Sequence, residues 1–442
     1  VGLSEFLAIV WRLFMAWGQL RKFVLVLAVA LVAGLAWGQK AGSFTEALKA
    51  SRLGLSVDGG KLGGAGGDAI RAATADAQFV LLGEDHGIAQ VPQFAAALCG
   101  ELAPRGFHRV ELEISPSVAP TLERFARASD GAAQMAAFDK RYPDSIAFYA
   151  WREEFEFLQS CERASTAGYE IRGLDQDFMG DSTYVLNRIL EMKLSAEARG
   201  AFERFAAEDR AARLGAEKTG NPGDLFLIMA QQEELFRAKD LLRREGPAGA
   251  RELFESLLAS RDIYWKFMNG QGYASNRERA MLMKTTFQAD YLAAPAGDAA
   301  PAKVLFKFGA YHMGRGLNVL HSSEIGDYVS ELAEGRGLKS VHIMIFGVKG
   351  AQSAFAGIGK PYAEAPLDLA GDANSQLAWA KPLYGNLLEK NWTVFNMRSL
   401  RDKFSGFSGV DPEMERMIFA YDFIVLIPEA TASHPFAAET SK

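Results

Sequence analysis

Short, mostly apolar runs rich in valine, isoleucine, leucine and phenylalanine recur along this chain at 79–82, 107–114, 169–174, 304–308, 341–348, 393–397 and 423–427. The first of them, Phe79-Val80-Leu81-Leu82, is apolar at each position, which suits a strand covered on both faces. Helical stretches separate the runs. Strands alternating with helices dictate an α/β fold with a mainly parallel central sheet flanked by helices. With 442 residues, 49% of them hydrophobic, the chain has ample apolar material for such a core.

Between the third and fourth runs, residues 181–290 are dominated by Ala, Glu, Arg, Leu and Phe, and are expected to form a helical insertion of about 110 residues over the sheet. Ahead of the first run lies a glycine-rich stretch, Asp58 to Gly67, without the Gly-Lys-Ser/Thr ending of a nucleotide loop. A flexible linker is expected over 39–67, with the α/β domain over 68–436. Residues 292–302 and 350–392 read as loops.

The N-terminus reads as a signal peptide or anchor over 1–38. Arg21-Lys22 precedes an apolar run at 23–35, and Ala36-Trp37-Gly38 offers small residues for cleavage after Gly38. Met15 would give a shorter leader with the same basic start. Export to the periplasm or medium is expected, with membrane attachment only through an uncleaved N-terminus. Cys99 and Cys161 permit one disulfide in an oxidising compartment, although Cys99 falls on the apolar face of a predicted helix and reads as core packing; neither has a metal-ligand spacing partner. A net charge of -6 and the lack of a basic stripe argue against a nucleic-acid partner, leaving a small molecule as the expected one.

In a parallel sheet, ligands bind beyond the carboxyl ends of the strands. Gly83-Glu84-Asp85-His86-Gly87 follows the first run, and two acids beside an imidazole are costly to bury without a purpose. The second run carries Glu111 and Glu113 on one face, because side chains alternate along a strand; Glu113, nearer the carboxyl end, is the better candidate. The third run ends in Asp175-Gln176-Asp177, and the fourth is followed by His312.

The expected catalytic set is therefore His86, Glu84, Glu113 and His312, with Asp175 and Asp85 as substrate contacts. Such a cluster works in one of two ways. A histidine acts as general base toward water with a glutamate orienting it, or the same side chains ligate a divalent metal that activates the water. Spacing leaves both open, since no His-Glu-x-x-His helix occurs. A histidine base implies a rate that falls as pH drops through the imidazole reference value of about 6.5. The other histidines, His108, His321, His342 and His434, read as satisfied core or surface residues. No Gly-x-Ser-x-Gly elbow is present, which disfavours Ser-His-Asp hydrolysis.

The order of these segments resembles the erythromycin esterase-like family. Gly83-Glu84-Asp85-His86-Gly87 after the first core strand and Glu111-Leu112-Glu113 at the second resemble that family's opening. Arg277-Glu278-Arg279-Ala280-Met281 resembles its Arg-acid-x-x-Met helix, and the strand ending at His312 its next strand; Asn396-Met397-Arg398 and the run from Tyr421 to Pro428 resemble its close. The resemblance implies an esterase-like hydrolase in which His86 activates water without a cofactor, Glu84, Glu113 and His312 assist, and Arg277 contacts the substrate. One departure is visible: a single residue, Asp85, separates Glu84 from His86, where the family usually has two. That spacing is closer to the haem-binding uptake and Tiki-like relatives, and it keeps as the alternative a non-catalytic or metal-dependent protein that binds a divalent metal or haem through the same Glu/His cluster.

Overall fold

The computed structural model describes residues 43–436, apart from 147, 167, 293–300, 361, 372–376 and 390. The leader expected at 1–38 and most of the loop at 292–302 lie outside the described residues. Ten strands form one sheet: β1 (Arg52–Asp58), β2 (Lys61–Gly63), β3 (Phe79–Glu84), β4 (Phe107–Leu112), β5 (Glu170–Gly173), β6 (Lys303–Gly309), β7 (Ser340–Ala354), β8 (Ala363–Asp368), β9 (Trp392–Asn396) and β10 (Phe423–Ala430). Their order is β2-β1-β9-β10-β7-β3-β6-β4-β5, with β8 paired to β7.

The strands from β10 to β5 run parallel to one another. β3 lies between β6 and β7 and is buried at each of its positions, as an all-apolar run requires. Register places Glu84 opposite Gly309, and Leu112 opposite Lys307. The carboxyl ends of β3, β4, β5 and β6 thus emerge along the same edge. The mainly parallel α/β sheet expected from the alternating runs is the one observed.

The glycine-rich stretch is not a linker. Residues Arg52–Asp58 and Lys61–Gly63 form an antiparallel hairpin in which Asp58 pairs with Lys61, and a helix begins at Gly64. Gly59 and Gly60 make the turn at φ of 56° and 73°. A two-residue hairpin turn needs positive φ at both central positions, so glycines serve it as readily as they serve a flexible segment. Composition alone does not separate the two.

Part of the loop expected at 350–392 is also strand. β7 runs on past the sheet and pairs with β8 as an antiparallel overhang, from Lys349 opposite Asp368 to Ala354 opposite Ala363. Much of this overhang faces solvent and carries polar residues, so it lacks an apolar run.

The helices Ser182–Leu190, Ala196–Thr219, Gln232–Glu245, Ala248–Met268 and Gly272–Leu292 occupy most of the insertion. The Phe202 ring packs edge-on to Phe254, with centroids 5.0 Å apart, in its core. Cys99, on helix Gln90–Leu102, is more than core packing: it is bonded to Cys161 on helix Arg152–Ala164, with Cα atoms 5.1 Å apart. Closing a loop of this length restricts the unfolded chain and stabilises the fold by about 4 kcal/mol in the chain-entropy picture. Among the described residues, no helix is long and apolar enough to cross a membrane.

Candidate active site

Glu84 is the last residue of β3, and its side chain is only 1% exposed. Its Oε2 lies 2.6 Å from the Nζ of Lys307, which projects from the neighbouring β6. Two positions on, His86 returns to the same side of the chain, and its Nδ1 lies 2.8 Å from Glu84 Oε1. That contact turns the other ring nitrogen toward Glu113, with Nε2 3.3 Å from Oε2. His86 remains 20% exposed, so it, rather than Glu84 behind it, meets whatever enters the cleft.

Glu113 stands just beyond β4 and is shared by several partners. Its Oε2 accepts the Gly309 N–H at 2.6 Å, and its Oε1 accepts Arg279 Nη2 at 2.8 Å and lies 3.4 Å from His312 Nε2. A Cβ at position 309 would sit 3.0 Å from His86 Nε2 and 3.3 Å from Glu113 Oε2, so glycine there lets both side chains lie against the β6 backbone without being pushed aside. His312 lies on the short turn of helix after β6, its Nδ1 3.0 Å from Glu324 Oε2. Arg279 also donates two hydrogen bonds to Asp175, at 2.8 and 2.5 Å.

Behind Glu84, Lys307 is fully buried. It bonds Glu154 at 2.9 and 2.8 Å and lies over the rings of Tyr149 and Phe157. The result is one continuous row of alternating charge: Glu154, Lys307, Glu84, His86, Glu113, His312, Glu324.

This alternation sets the protonation states. Burial opposes charge on His86, but Glu113 and Glu84 outweigh it and raise the imidazole to about 10. Burial likewise opposes charge on His312, yet Glu113 draws it up to about 9 against repulsion from Arg279. Burial pushes Glu113 upward, while His312 and His86 hold it well below the usual carboxylate range; Glu84, against the same burial, is lowered by Lys307 and His86. Both imidazoles are thus cationic at neutral pH, and the titration expected near 6.5 is displaced to the alkaline side.

The cluster floors a cleft of about 840 Å³ at the carboxyl edge of the sheet. Met344, Leu367 and Leu369 give it an apolar wall, the last two at the β8 end of the overhanging hairpin. Asp85 lines the cleft as well, and burial raises its carboxyl to about 6. The structure therefore gathers His86, Glu84, Glu113, His312 and Asp85 around one cavity, with Asp175 held behind Arg279. Glu111 goes elsewhere: it is fully buried and pairs with Arg109.

Arg277 is exposed and does not reach the cluster; the arginine that does is Arg279, two residues along the same helix. Two residues of α-helix turn a side chain through roughly 200°, so neighbouring arginines in one motif face opposite ways. Lys307, Glu154, Glu324 and Phe148, whose ring stacks on the His86 imidazole, were also absent from the expected set. A lysine inside the otherwise apolar run at 304–308 was the one signal in sequence. His342, by contrast, is a satisfied core histidine, its Nδ1 2.7 Å from the Met313 carbonyl and its pKa lowered to about 3 by burial.

As arranged, the cluster does not fit a divalent cation or a haem iron. Both nitrogens of His86 and of His312 are directed at carboxylates, and those carboxylates are engaged by Arg279, Lys307 and the Gly309 N–H. Among the described residues, no group of three or more His, Cys, Asp or Glu side chains is disposed to hold a metal ion.

No family model matches the chain, and no curated protein matches its sequence. Solved structures do match its fold. An erythromycin esterase, EreC, in a mutant form and open conformation, superposes with a TM-score of 0.57 at 16% identity, over 83% of this chain and 94% of that one. A succinoglycan biosynthesis protein gives 0.53 at 13% identity, over 88% and 97%. A Bacillus cereus protein gives 0.54 at 14% identity, over 88% and 98%. At these identities the likeness is one of fold. The chain has the erythromycin esterase-like fold, as the order of its motifs implied.

Proposed function

We propose that this protein is a hydrolase of the erythromycin esterase-like type, in which His86 takes a proton from a water attacking an ester or related bond of a small molecule. The observation that carries this reading is the meeting of Glu84, His86, Glu113 and His312 in one cleft. In the reactive form, Glu84 holds the Nδ1 proton of His86, and Nε2, beside Glu113, is unprotonated and turns its lone pair to the entering water. As water adds to the carbonyl carbon, its proton passes to Nε2. The oxyanion that forms is stabilised by the positive charges of Arg279 and His312. Collapse breaks the carbon–oxygen bond, and the imidazolium returns the proton to the leaving alkoxide, giving an acid and an alcohol.

The reaction as proposed runs on the protein's own side chains, and the saturation of the imidazoles by carboxylates supports that. Export is part of the same reading. It is supported by the basic and apolar pattern at 1–38 and by the Cys99–Cys161 bond, which suits an oxidising compartment.

The test is hydrolysis of a panel of chromogenic esters by the wild-type protein and by His86→Ala and His312→Ala, before and after dialysis against chelator, with metal and haem analysis of the purified protein. The expected result is activity that survives chelation and falls by roughly 10²–10⁴ in His86→Ala. Unchanged activity in both variants would remove the site assignment. Inactivity of the wild type together with stoichiometric metal or haem would replace the hydrolase reading with a binding one.

A further inference from the structure

Lys307 is one ammonium shared by two carboxylates. Its Nζ lies 2.6 Å from Glu84 Oε2 and 2.9 and 2.8 Å from the two oxygens of Glu154, and all three side chains are at most 1% exposed. Glu154 stands on helix Arg152–Ala164, outside the sheet, and is joined to the imidazole through two intervening residues, Lys307 and Glu84. We propose that Glu154, without touching substrate, sets how tightly His86 holds its proton, acting through Lys307 and Glu84 as a positioning residue.

The inference rests on His86 as the proton-handling group of the proposed hydrolysis. In a buried environment charges are poorly screened, so the field of Lys307 on Glu84 depends on how much of it Glu154 neutralises. Replace Glu154 with a neutral side chain and the full ammonium charge falls on Glu84. Glu84 then offers less negative potential to His86, and the imidazolium releases its proton at lower pH. The other charged groups that face His86 remain as they are: Glu84 and Asp85 from its own strand end, Glu113 beyond β4, and Arg279 and His312 acting through Glu113. Burial raises Glu154 itself to about 7 even with Lys307 beside it. By the pH at which His86 deprotonates, Glu154 is fully charged, so the substitution removes a whole charge.

The experiment is a titration of the His86 ring by NMR in full-length protein labelled at histidine, with the resonance assigned by its loss in His86→Gln. No substrate is needed, so the result is independent of whether an ester is cleaved. Glu154→Gln is expected to move the midpoint down by roughly one pH unit, a tenfold loss of proton affinity. Glu154→Met, apolar and of similar length, is a second neutral variant with the same expectation should the first not fold. Glu154→Asp keeps the charge and is expected to stay near the wild-type midpoint. A folded neutral variant titrating at the wild-type midpoint would overturn the proposal. So would an aspartate variant that shifts as far as the glutamine one, because packing and not charge would then be the cause. Where ester hydrolysis is present, the pH limb of kcat/KM is expected to move with the NMR midpoint; a limb that stays put while the midpoint shifts would also overturn it.

Discussion

The imidazole of His86 lies flat against the ring of Phe148, with centroids 3.8 Å apart and planes 1° from parallel. Phe148 adopts φ of 58°, a left-handed conformation that costs a bulky residue about 1–2 kcal/mol and persists only where surrounding structure enforces it. The stack fixes the ring plane, and the Glu84 contact fixes its rotation.

Phe148→Gly therefore separates backbone strain from ring support. Glycine relieves the strain but removes a ring that also packs on Trp151 and Phe178, so a net loss of about 1–3 kcal/mol in unfolding free energy is expected. Catalysis has no such offset. A fall in kcat of roughly tenfold is expected from the looser imidazole, and steady-state kinetics alongside urea denaturation would check both halves. Unchanged kcat would mean that the stack orients nothing.

The pH dependence follows from the row of charges. A base that is protonated below about 10 is available in a fraction that grows tenfold per pH unit. We expect kcat/KM to climb from pH 6 to about 9, where loss of the His312 charge that steadies the oxyanion opposes any further rise, whereas an unperturbed histidine would level off above about 6.5. A profile flat from pH 7 to 10 would count against a proton-holding His86 as the base.

Stability is expected to move the opposite way with pH. His86 and His312 are both raised above their unfolded value, so the stabilisation they bring is fully present below about 6.5 and is lost as pH rises through about 9 and then 10. The melting temperature should decline over that alkaline window, and a His86→Gln, His312→Gln double variant should decline less. Parallel declines would assign the loss to other groups.

Arg279 and Arg277 offer a direct contrast. Arg279→Lys keeps a positive charge but loses the planar fork that spans Asp175 and Glu113, and a drop in kcat/KM of about 10²–10³ is expected. Arg277→Lys, on the exposed face of the same helix, is expected to stay within about twofold of wild type. Kinetics on the two variants decides whether the helix presents residue 279 to the cleft.

Reducing the Cys99–Cys161 bond, or replacing both residues by serine, is expected to lower stability by about 2–4 kcal/mol, since the bond ties helix Gln90–Leu102, which follows His86, to helix Arg152–Ala164, which carries Glu154. Denaturation with and without reductant measures it. An equal midpoint in both conditions would show the bond to be absent.

Much of the site was legible in the sequence because strand ends are local features. An apolar run such as 79–82 fixes where a buried strand stops, and the polar residues that follow must emerge at the sheet edge; that alone singled out Glu84, His86, Glu113 and His312. Parallel pairing then brought them together, since β3, β4 and β6 all end on one side. Alternation along β4 put Glu111 and Glu113 on one face and position at the carboxyl end favoured Glu113; packing separates the two, since Arg109 holds Glu111 away from the cleft. Arg279, Lys307 and Glu154 were decided by tertiary structure alone. Helix phase at Arg279, the pairing of β6 with β3 at Lys307 and the docking of helix Arg152–Ala164 at Glu154 are set by contacts between distant segments. The protonation state of His86 belongs with them. The sequence determined that an imidazole would stand at this edge, but the buried carboxylates that meet it there decide what it does with a proton.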